Sequence, residues 1–371
     1  MNMNTKSKIL AWAMALACMP MGSRAQAYNY DVNGDGEVNV TDVTEVVSHI
    51  LNSANNERKL KIYVTEEPYT TEQGNARNNI RRAPEITTSS LSQFYINLMY
   101  EDEVDGTTLT NDGRMTYLTD DGYYQTQSNW PSSIEPTVPV TVFGYYDKQS
   151  SCLLDDDDRP FLDVILEENS SEQYDVLAAK ETKTLKESEG VVNLHFHHAC
   201  AAVQFSIQKS AYMKNNGYQV EVSEVVLHNI LKRGKYMLDD FTWSLPEATS
   251  STVSYFTINA YQNGEMASSV TLNDNEPVLL AKNENDFLFL LPTDITPASG
   301  NFSQAGLGNS YLEIKCKIYN NENYKVGSAN DFDSVYLPFG YDLSGYKGKI
   351  KSFLITLGTK IRDYYGNGFN F

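Results

Sequence analysis

Residues 192–207, VNLHFHHACAAVQFSI, decide the fold of this chain. Apolar residues recur here at every second position, which is the period of a β-strand whose two faces meet different surroundings. One face first carries the even-numbered residues Leu194, Phe196 and His198. After Ala199-Cys200 the apolar residues are odd-numbered: Ala201, Val203, Phe205 and Ile207. The parity changes near Ala199-Cys200, as an inserted β-bulge residue would cause. The stretch therefore predicts extended β structure with a bulge in it.

Short segments of the same kind fill most of the chain after Leu91, separated by turns rich in Asn, Gly and Asp. The 25 Tyr and 15 Phe suit pleated, half-buried surfaces. The clearest segments are FYINLMY (94–100), VPVTVFGYY (138–146), FLDVIL (161–166), QVEVSEVVLHNI (219–230), DFLFLLP (286–292), YLEIKCKIY (311–319) and IKSFLITLG (350–358). This pattern predicts an all-β chain of the sandwich type.

Length, charge and cysteine count narrow the class of protein. The 371 residues suggest two domains of about 150 residues each. The formal net charge of −19 repels phosphate backbones, so the sequence predicts no nucleic-acid partner. Cys152, Cys200 and Cys316 are too few and too widely spaced for a disulfide framework or a CxxC metal site. A large apolar core is therefore expected to stabilise the chain.

Residues 1–27 resemble a secretory signal peptide. Lys6 and Lys8 precede a short apolar run, and Ala25-Gln26-Ala27 forms an A-x-A cleavage site. A second processing route stays open, because Cys18 ends a poor version of a lipoprotein box and would then carry a lipid anchor. No stretch reaches the roughly 18–20 apolar residues of a membrane helix. Export to the cell surface, the outer membrane or the extracellular space is expected, without a transmembrane segment.

Residues 31–42, DVNGDGEVNVTD, have the spacing of an EF-hand calcium loop. Gly36 occupies the sixth position, where the sharp turn requires a positive φ. The expected oxygen ligands are Asp31, Asn33, Asp35, the carbonyl of Glu37, Asn39 and Asp42. Apolar residues recur at helical spacing after the loop, so a helix is expected to follow. A solvated turn is the alternative interpretation. Residues 28–55 are thus predicted to form a Ca²⁺-binding loop–helix unit.

The calcium loop, with Asn39 in its ninth position and Asp42 in its twelfth, resembles a type I dockerin repeat. The resemblance implies docking to a cohesin-like partner. A cohesin-binding dockerin contains two such repeats, however, and only one occurs here. Because one short helix cannot bury its apolar stripe alone, the unit is expected to pack on the following domain or on a partner.

An ordered series of motifs across residues 85–371 resembles the fimbrillin family, the pilus subunits and related adhesins of Bacteroidales. The central motif is L-x-F-x-H followed by A-x-V-x-F-x-I, within 192–207. The flanking motifs are SLSQFYINL (90–98), NWP (129–131), VTVFGYY (140–146), EQYDVLAAKET (172–182), VSEVVLHNI (222–230), KRGKY (232–236), FLFLLPTDIT (287–296) and VYLPFGYDLSGYKGKIKSFLITLG (335–358). The resemblance implies two tandem transthyretin-like β-sandwich domains, residues 56–188 and 189–371, after the calcium loop–helix unit.

Few side chains offer other chemistry. Regular alternation would place His195 and His197 on one strand face, where two His could bind zinc, but no third ligand is near in the sequence. The family resemblance instead implies a structural role for His198. The acidic run Asp155–Asp158 is expected to be a solvated turn, with a weak cation site as the alternative. No motif of a nucleophile elbow or a phosphate-binding loop occurs, so no enzyme is predicted.

The favoured function is that of a secreted, calcium-binding fimbrial subunit or adhesin. Its partners would be other fimbrial subunits, surface proteins, or a host or glycan ligand. The resemblance implies assembly by β-strand exchange, with Lys59–Val64 or IRDYYGNGFNF (361–371) as the exchanged segment. It also implies trimming after a basic residue, for which Arg81-Arg82 is the candidate. The alternative is a dockerin-bearing polysaccharide-binding or scaffold protein that docks to a cohesin-like partner.

Overall fold

A computed structural model describes residues 59–71, 93–102, 106–110, 114–126, 129–131, 134–146, 151–262, 264–369 and 371. The predicted signal peptide, Cys18, the calcium loop with its helix, and Arg81-Arg82 lie outside these residues. Contacts group 60–128 and 133–371 into one unit. In a second, small unit, Lys59 forms an antiparallel bridge with Asn129.

Strands dominate the described part of the chain, which confirms the predicted all-β sandwich class. In chain order they are β1 (Lys61–Glu66), β2 (Tyr95–Asp102), β3 (Gly106–Leu109), β4 (Arg114–Met115), β5 (Tyr117–Leu118), β6 (Tyr124–Gln125), β7 (Val140–Tyr146), β8 (Cys152–Leu154), β9 (Pro160–Ile165), β10 (Leu177–Lys183), β11 (Val191–His198), β12 (Ala201–Lys209), β13 (Gln219–Leu231), β14 (Arg233–Met237), β15 (Trp243–Ser244), β16 (Val253–Asn259), β17 (Tyr261–Gln262), β18 (Glu265–Met266), β19 (Val270–Thr271), β20 (Val278–Leu279), β21 (Leu288–Leu290), β22 (Asp294–Pro297), β23 (Asn309–Asn320), β24 (Asn323–Val326), β25 (Asp333–Pro338), β26 (Tyr341–Asp342) and β27 (Ile350–Leu357).

Helical structure in the described residues is limited to single turns. They are α1 (Leu185–Ser188), α2 (Ala211–Asn215) and a 3₁₀ turn at Phe302–Gln304. The Thr184 side chain accepts from the amide of Glu187, and the Glu187 carboxylate accepts in return from the amide of Thr184, which forms a capping box at the start of α1. Within the described ranges, no helix has the length and apolar character needed to cross a bilayer.

The strands of the described residues pair into four larger sheets and a hairpin. The first sheet has the order β3-β2-β7-β10-β11-β1-β6-β5, with β4 paired to β2. The second has the order β20-β12-β21, with β27 paired to β12. In the third, β16-β13-β23-β22-β26 carries β19 on β13 and both β24 and β25 on β23. The fourth is β15-β14-β9-β8, and β17 and β18 form the hairpin.

The parity change at Ala199-Cys200 has a different cause from the predicted bulge. β11 ends at His198 in the first sheet, and β12 begins at Ala201 in the second. The chain therefore passes from one sheet to another instead of bulging within one strand. Both connecting residues are fully buried, and they belong to a core that continues along β12 through Phe205. The predicted domain limits, 56–188 and 189–371, stay predictions.

Candidate functional site

Strand β1 occupies a distinctive place in the first sheet, because it pairs in parallel with a strand far along the chain. Its register with β11 runs from Lys61 opposite Val191 to Glu66 opposite Phe196. On the other side of β1, the pairing with β6 in the described residues is limited to Ile62 opposite Tyr124. We refer to the β1–β11 contact as the β1 seam. Main-chain hydrogen bonds to one neighbour thus hold most of β1.

The side chains of β1, and of Leu60 just before it, alternate between the core and solvent. Leu60, Ile62 and Val64 are 1%, 0% and 5% exposed, whereas Lys61 and Tyr63 are exposed. Each fully buried aliphatic side chain contributes about 1.5–3 kcal/mol of transfer free energy. The inward stripe therefore fixes the register of β1, because a shift by one residue would bring the exposed residues into the core.

A buried polar cluster fixes the chain just after β1. The Tyr69 hydroxyl donates to Asp175 Oδ1 at 2.9 Å, and His198 Nδ1 lies 2.6 Å from Asp175 Oδ2. His198 Nε2 lies 3.1 Å from Glu66 Oε1, and the Tyr69 and His198 rings have centroids 3.8 Å apart. Burial lowers the pKa of His198, but Asp175 and Glu66 outweigh it and raise that pKa to about 9. A charged His198 therefore links Glu66, at the end of β1, to Asp175, which lies just before β10.

Beyond this cluster the chain reaches the second sheet. Thr70 bridges in parallel to Lys349, immediately before β27, and the Ile350 amide donates to the Thr70 carbonyl at 2.8 Å. The segment that follows β1 is thus anchored by backbone bonds as well as by side chains.

The outward face of the β1 seam carries a second polar group. His195 and His197 lie on one face of β11, with ring centroids 4.9 Å apart. His195 Nδ1 lies 2.8 Å from Thr65 Oγ1, and His197 Nδ1 lies 2.7 Å from Glu67 Oε2. The hydrogen bond to His197 is the main reason why the pKa of Glu67 is lowered. No third ligand is near these histidines in the sequence, but the parallel pairing of β1 with β11 brings Glu67 beside them in space.

The C-terminal segment, the second candidate for exchange, is folded onto its own chain. Ile361 is fully buried, and Arg362 bridges to both Tyr336 and Gly368. The Tyr212 hydroxyl donates to the carbonyl of Phe371 at 3.3 Å. Tyr365, in the middle of this segment, is 68% exposed. The segment therefore combines a buried anchor with an exposed aromatic stretch.

The remaining candidates have structural explanations. Asp155–Asp158 forms the predicted turn between β8 and β9, and Asp155 Oδ1 accepts from the amide of Arg159 at 2.8 Å. Cys152, Cys200 and Cys316 are buried thiols that form no disulfide. Burial raises the pKa of Cys152 and of Cys316 to about 12, so both thiols stay protonated at neutral pH.

The six predicted calcium ligands lie outside the described residues: Asp31, Asn33, Asp35, Glu37, Asn39 and Asp42. The calcium site therefore stays a prediction.

Comparison with known proteins identifies relatives over most of the chain. A family model described as fimbrillin-like matches residues 52–312. A fimbrial protein of Bacteroides vulgatus has a solved structure with 15% identity and a TM-score of 0.46, covering 82% of this chain and 97% of its own. A candidate cell adhesion protein of Parabacteroides distasonis has 11% identity and a TM-score of 0.45, covering 81% and 89%. No curated protein matches the chain.

Proposed function

Since this chain belongs to the fimbrillin-like family, we propose that it is a secreted, calcium-binding fimbrial subunit or adhesin that assembles by β-strand exchange. The family implies a place at the cell surface or outside the cell. Its partners would be further subunits or surface proteins, with a host or glycan ligand as a further partner class. A lipid anchor at Cys18, or cleavage after Ala27, would complete its export.

The β1 seam is the observation that supports strand exchange best. The backbone hydrogen bonds of β1 run to one neighbour, β11, over most of the strand. The inward side chains of β1 fill alternate positions along the sheet. An added strand uses these same two elements, main-chain hydrogen bonds for affinity and alternate side-chain sites for specificity. If β1 leaves, β11 exposes an edge and an apolar groove that a strand of another subunit can fill.

Arg81-Arg82 lies between β1 and β2 in the sequence, so cleavage there would separate β1 covalently from the remaining sheet. The dibasic pair is accessible to a trypsin-like protease if it lies in a loop. The freed strand would then be held by non-covalent contacts alone. A segment of a second subunit, such as 361–371, can compete for the groove.

Treatment with an arginine-specific protease is therefore expected to produce subunits that begin at Ala83 and form ladders of polymers. N-terminal sequencing identifies the cut, and size-exclusion chromatography with light scattering measures assembly. The Arg81→Ala, Arg82→Ala double variant is the control: it should yield no chain that begins at Ala83 and should stay monomeric. Cleaved protein that stays monomeric and binds glycans would contradict strand exchange and favour the scaffold alternative.

The calcium unit is expected to depend on its ion for folding. Three carboxylates in one loop repel one another without a cation, and binding energy becomes folding energy because the ion binds the folded loop. Asp31→Ala should abolish calcium uptake and expose residues 28–55 to proteolysis, while residues 85–371 stay resistant. Asp156→Ala, in the β8–β9 turn, is the matched acidic control and should bind calcium as the wild type does. Titration calorimetry that shows no uptake by the wild type would end the hypothesis.

A further inference from the structure

The outward face of the β1 seam carries the donor set of a transition-metal site. We propose that Glu67, His195 and His197 bind a Zn²⁺ ion that pins β1 to β11. The ion would be distinct from the calcium predicted at residues 31–42, and its ligands come from both sides of the seam.

Strand geometry explains why the three side chains meet. His195 and His197 are two residues apart in β11 and therefore point to the same side of the sheet. In the parallel register, Thr65 lies opposite His195, and Glu67 follows two residues later beside His197. One ligand atom from each of the three residues can be chosen so that all lie within 4.8 Å of one another. Zinc bonds of about 2.0–2.1 Å in a tetrahedron place ligand atoms roughly 3.4 Å apart, so small side-chain rotations suffice.

The donor types select the metal. Two imidazoles and one carboxylate are the ligands of known three-residue zinc sites, which keep a fourth position for water. Calcium is a poor fit, because it prefers six to eight oxygen ligands. The site on β1 and β11 should therefore discriminate against the ion of the N-terminal loop.

Neighbouring groups orient the ligands. The Thr65 hydroxyl occupies Nδ1 of His195, which leaves Nε2 of that ring for a metal. The Phe241 ring contacts His197, with centroids 4.8 Å apart. Two lysines on neighbouring segments donate to main-chain carbonyl oxygens: Lys180 to the carbonyl of Asp239, and Lys347 to the carbonyl of Phe241. Both amines are thereby engaged with the main chain.

The position of the ligands gives the ion a mechanical role. Glu67 follows β1 directly, whereas both histidines belong to β11, so departure of β1 would break the site. Metal binding must therefore oppose opening of the seam, by a factor that grows with the ratio of the zinc concentration to Kd. Its effect on subunit assembly rests on the proposed function, whereas its effect on opening of the seam does not.

Metal binding is tested on the full chain with calcium held at a fixed excess. Calorimetric titration with Zn²⁺ should show one further ion per chain, and Co²⁺ should give the visible absorption of a four-coordinate site. Glu67→Gln, His195→Gln and His197→Gln remove ligands and should each weaken zinc binding by more than the ~10- to 100-fold typical for loss of an outer-shell partner. His228→Gln is the matched control, because His228 pairs with Glu313 at 2.8 Å without belonging to the proposed site. Wild-type affinity in the three ligand variants would overturn the site.

The effect of zinc on opening of the β1 seam is tested by hydrogen exchange of the β1 amides. This measurement does not require subunits to assemble. Zinc at a concentration a hundredfold above Kd should slow exchange of residues 61–66 up to ~100-fold where exchange requires opening of the seam. The Glu67→Gln variant should exchange at one rate with or without zinc. Unchanged exchange in the zinc-loaded wild type would overturn the claim that zinc holds β1 against β11. This conclusion would not depend on whether cleaved subunits polymerise.

Discussion

Replacing Ile62 with aspartate is expected to displace β1 from its sheet, whereas the same change at the next residue, Tyr63, should leave β1 in place. Ile62 is 0% exposed and Tyr63 is 44% exposed. Loss of the buried Ile62 side chain alone costs roughly 2–5 kcal/mol, as in truncation to alanine. An ionised carboxylate in that position adds a desolvation cost, so the strand is expected to leave the core.

The outcome is measured by limited proteolysis and hydrogen exchange. In Ile62→Asp, residues 61–66 should lose protection while β12 and β27 keep theirs, because those strands belong to the second sheet. The variant should also assemble without cleavage at Arg81-Arg82 if β-strand exchange operates. Global unfolding of Ile62→Asp, or equal loss of protection in Tyr63→Asp, would contradict the assigned role of β1.

Replacing Asp175 with alanine is expected to destabilise the protein by about 3–5 kcal/mol, the cost of removing one partner from a buried ion pair. His198 would keep its contact with Glu66, and the Tyr69 hydroxyl would lose its acceptor. Urea denaturation at pH 7 measures the change. Asp163→Ala is the control, because the Arg233–Asp163 pair is partly exposed and should contribute only about 0–1 kcal/mol.

The same cluster gives the stability a defined pH dependence. The pKa of His198 is raised from 6.5 to about 9 in the folded protein. Its stabilisation is therefore complete below pH 6.5 and is lost as the pH rises through about 9, an effect on the order of 3 kcal/mol. Asp175→Asn removes the main charge that raises the pKa of His198. In this variant the free energy of unfolding should therefore change less with pH. Wild type and Asp175→Asn with the same dependence over pH 6–10 would exclude this pair as its cause.

Local periodicity was sufficient to predict the strands of the central region. The burial of Leu194, Phe196 and His198 follows from a period of two, because the first sheet has one buried face there. The cause of the parity change could not be predicted, because a β-bulge and a passage from one sheet to another produce the same sequence pattern. Single-turn helices were missed because four or five residues have no periodicity, although Thr184 and Glu187 carried a capping signal.

Local sequence patterns could not predict the contacts of the candidate site that join distant parts of the chain. The histidines could be placed on one face of β11, but Glu67 could not be placed beside them. That contact depends on the parallel pairing of β1 with β11, which no turn chemistry between adjacent strands specifies. The same holds for Asp175, whose link to His198 and Tyr69 joins three separate parts of the chain.

The long-range pairing of β1 also determines when this strand can fold. Thr65 and His195 are 130 positions apart, so closing the seam requires a large chain loop with its entropy cost. β10 and β11 are close in sequence and can associate much earlier. The edge of β11 is therefore expected to be open during folding, before its own strand arrives. If strand exchange operates as proposed, a strand of another chain can compete with β1 during this interval, and the rate of β1 docking determines how long the interval lasts.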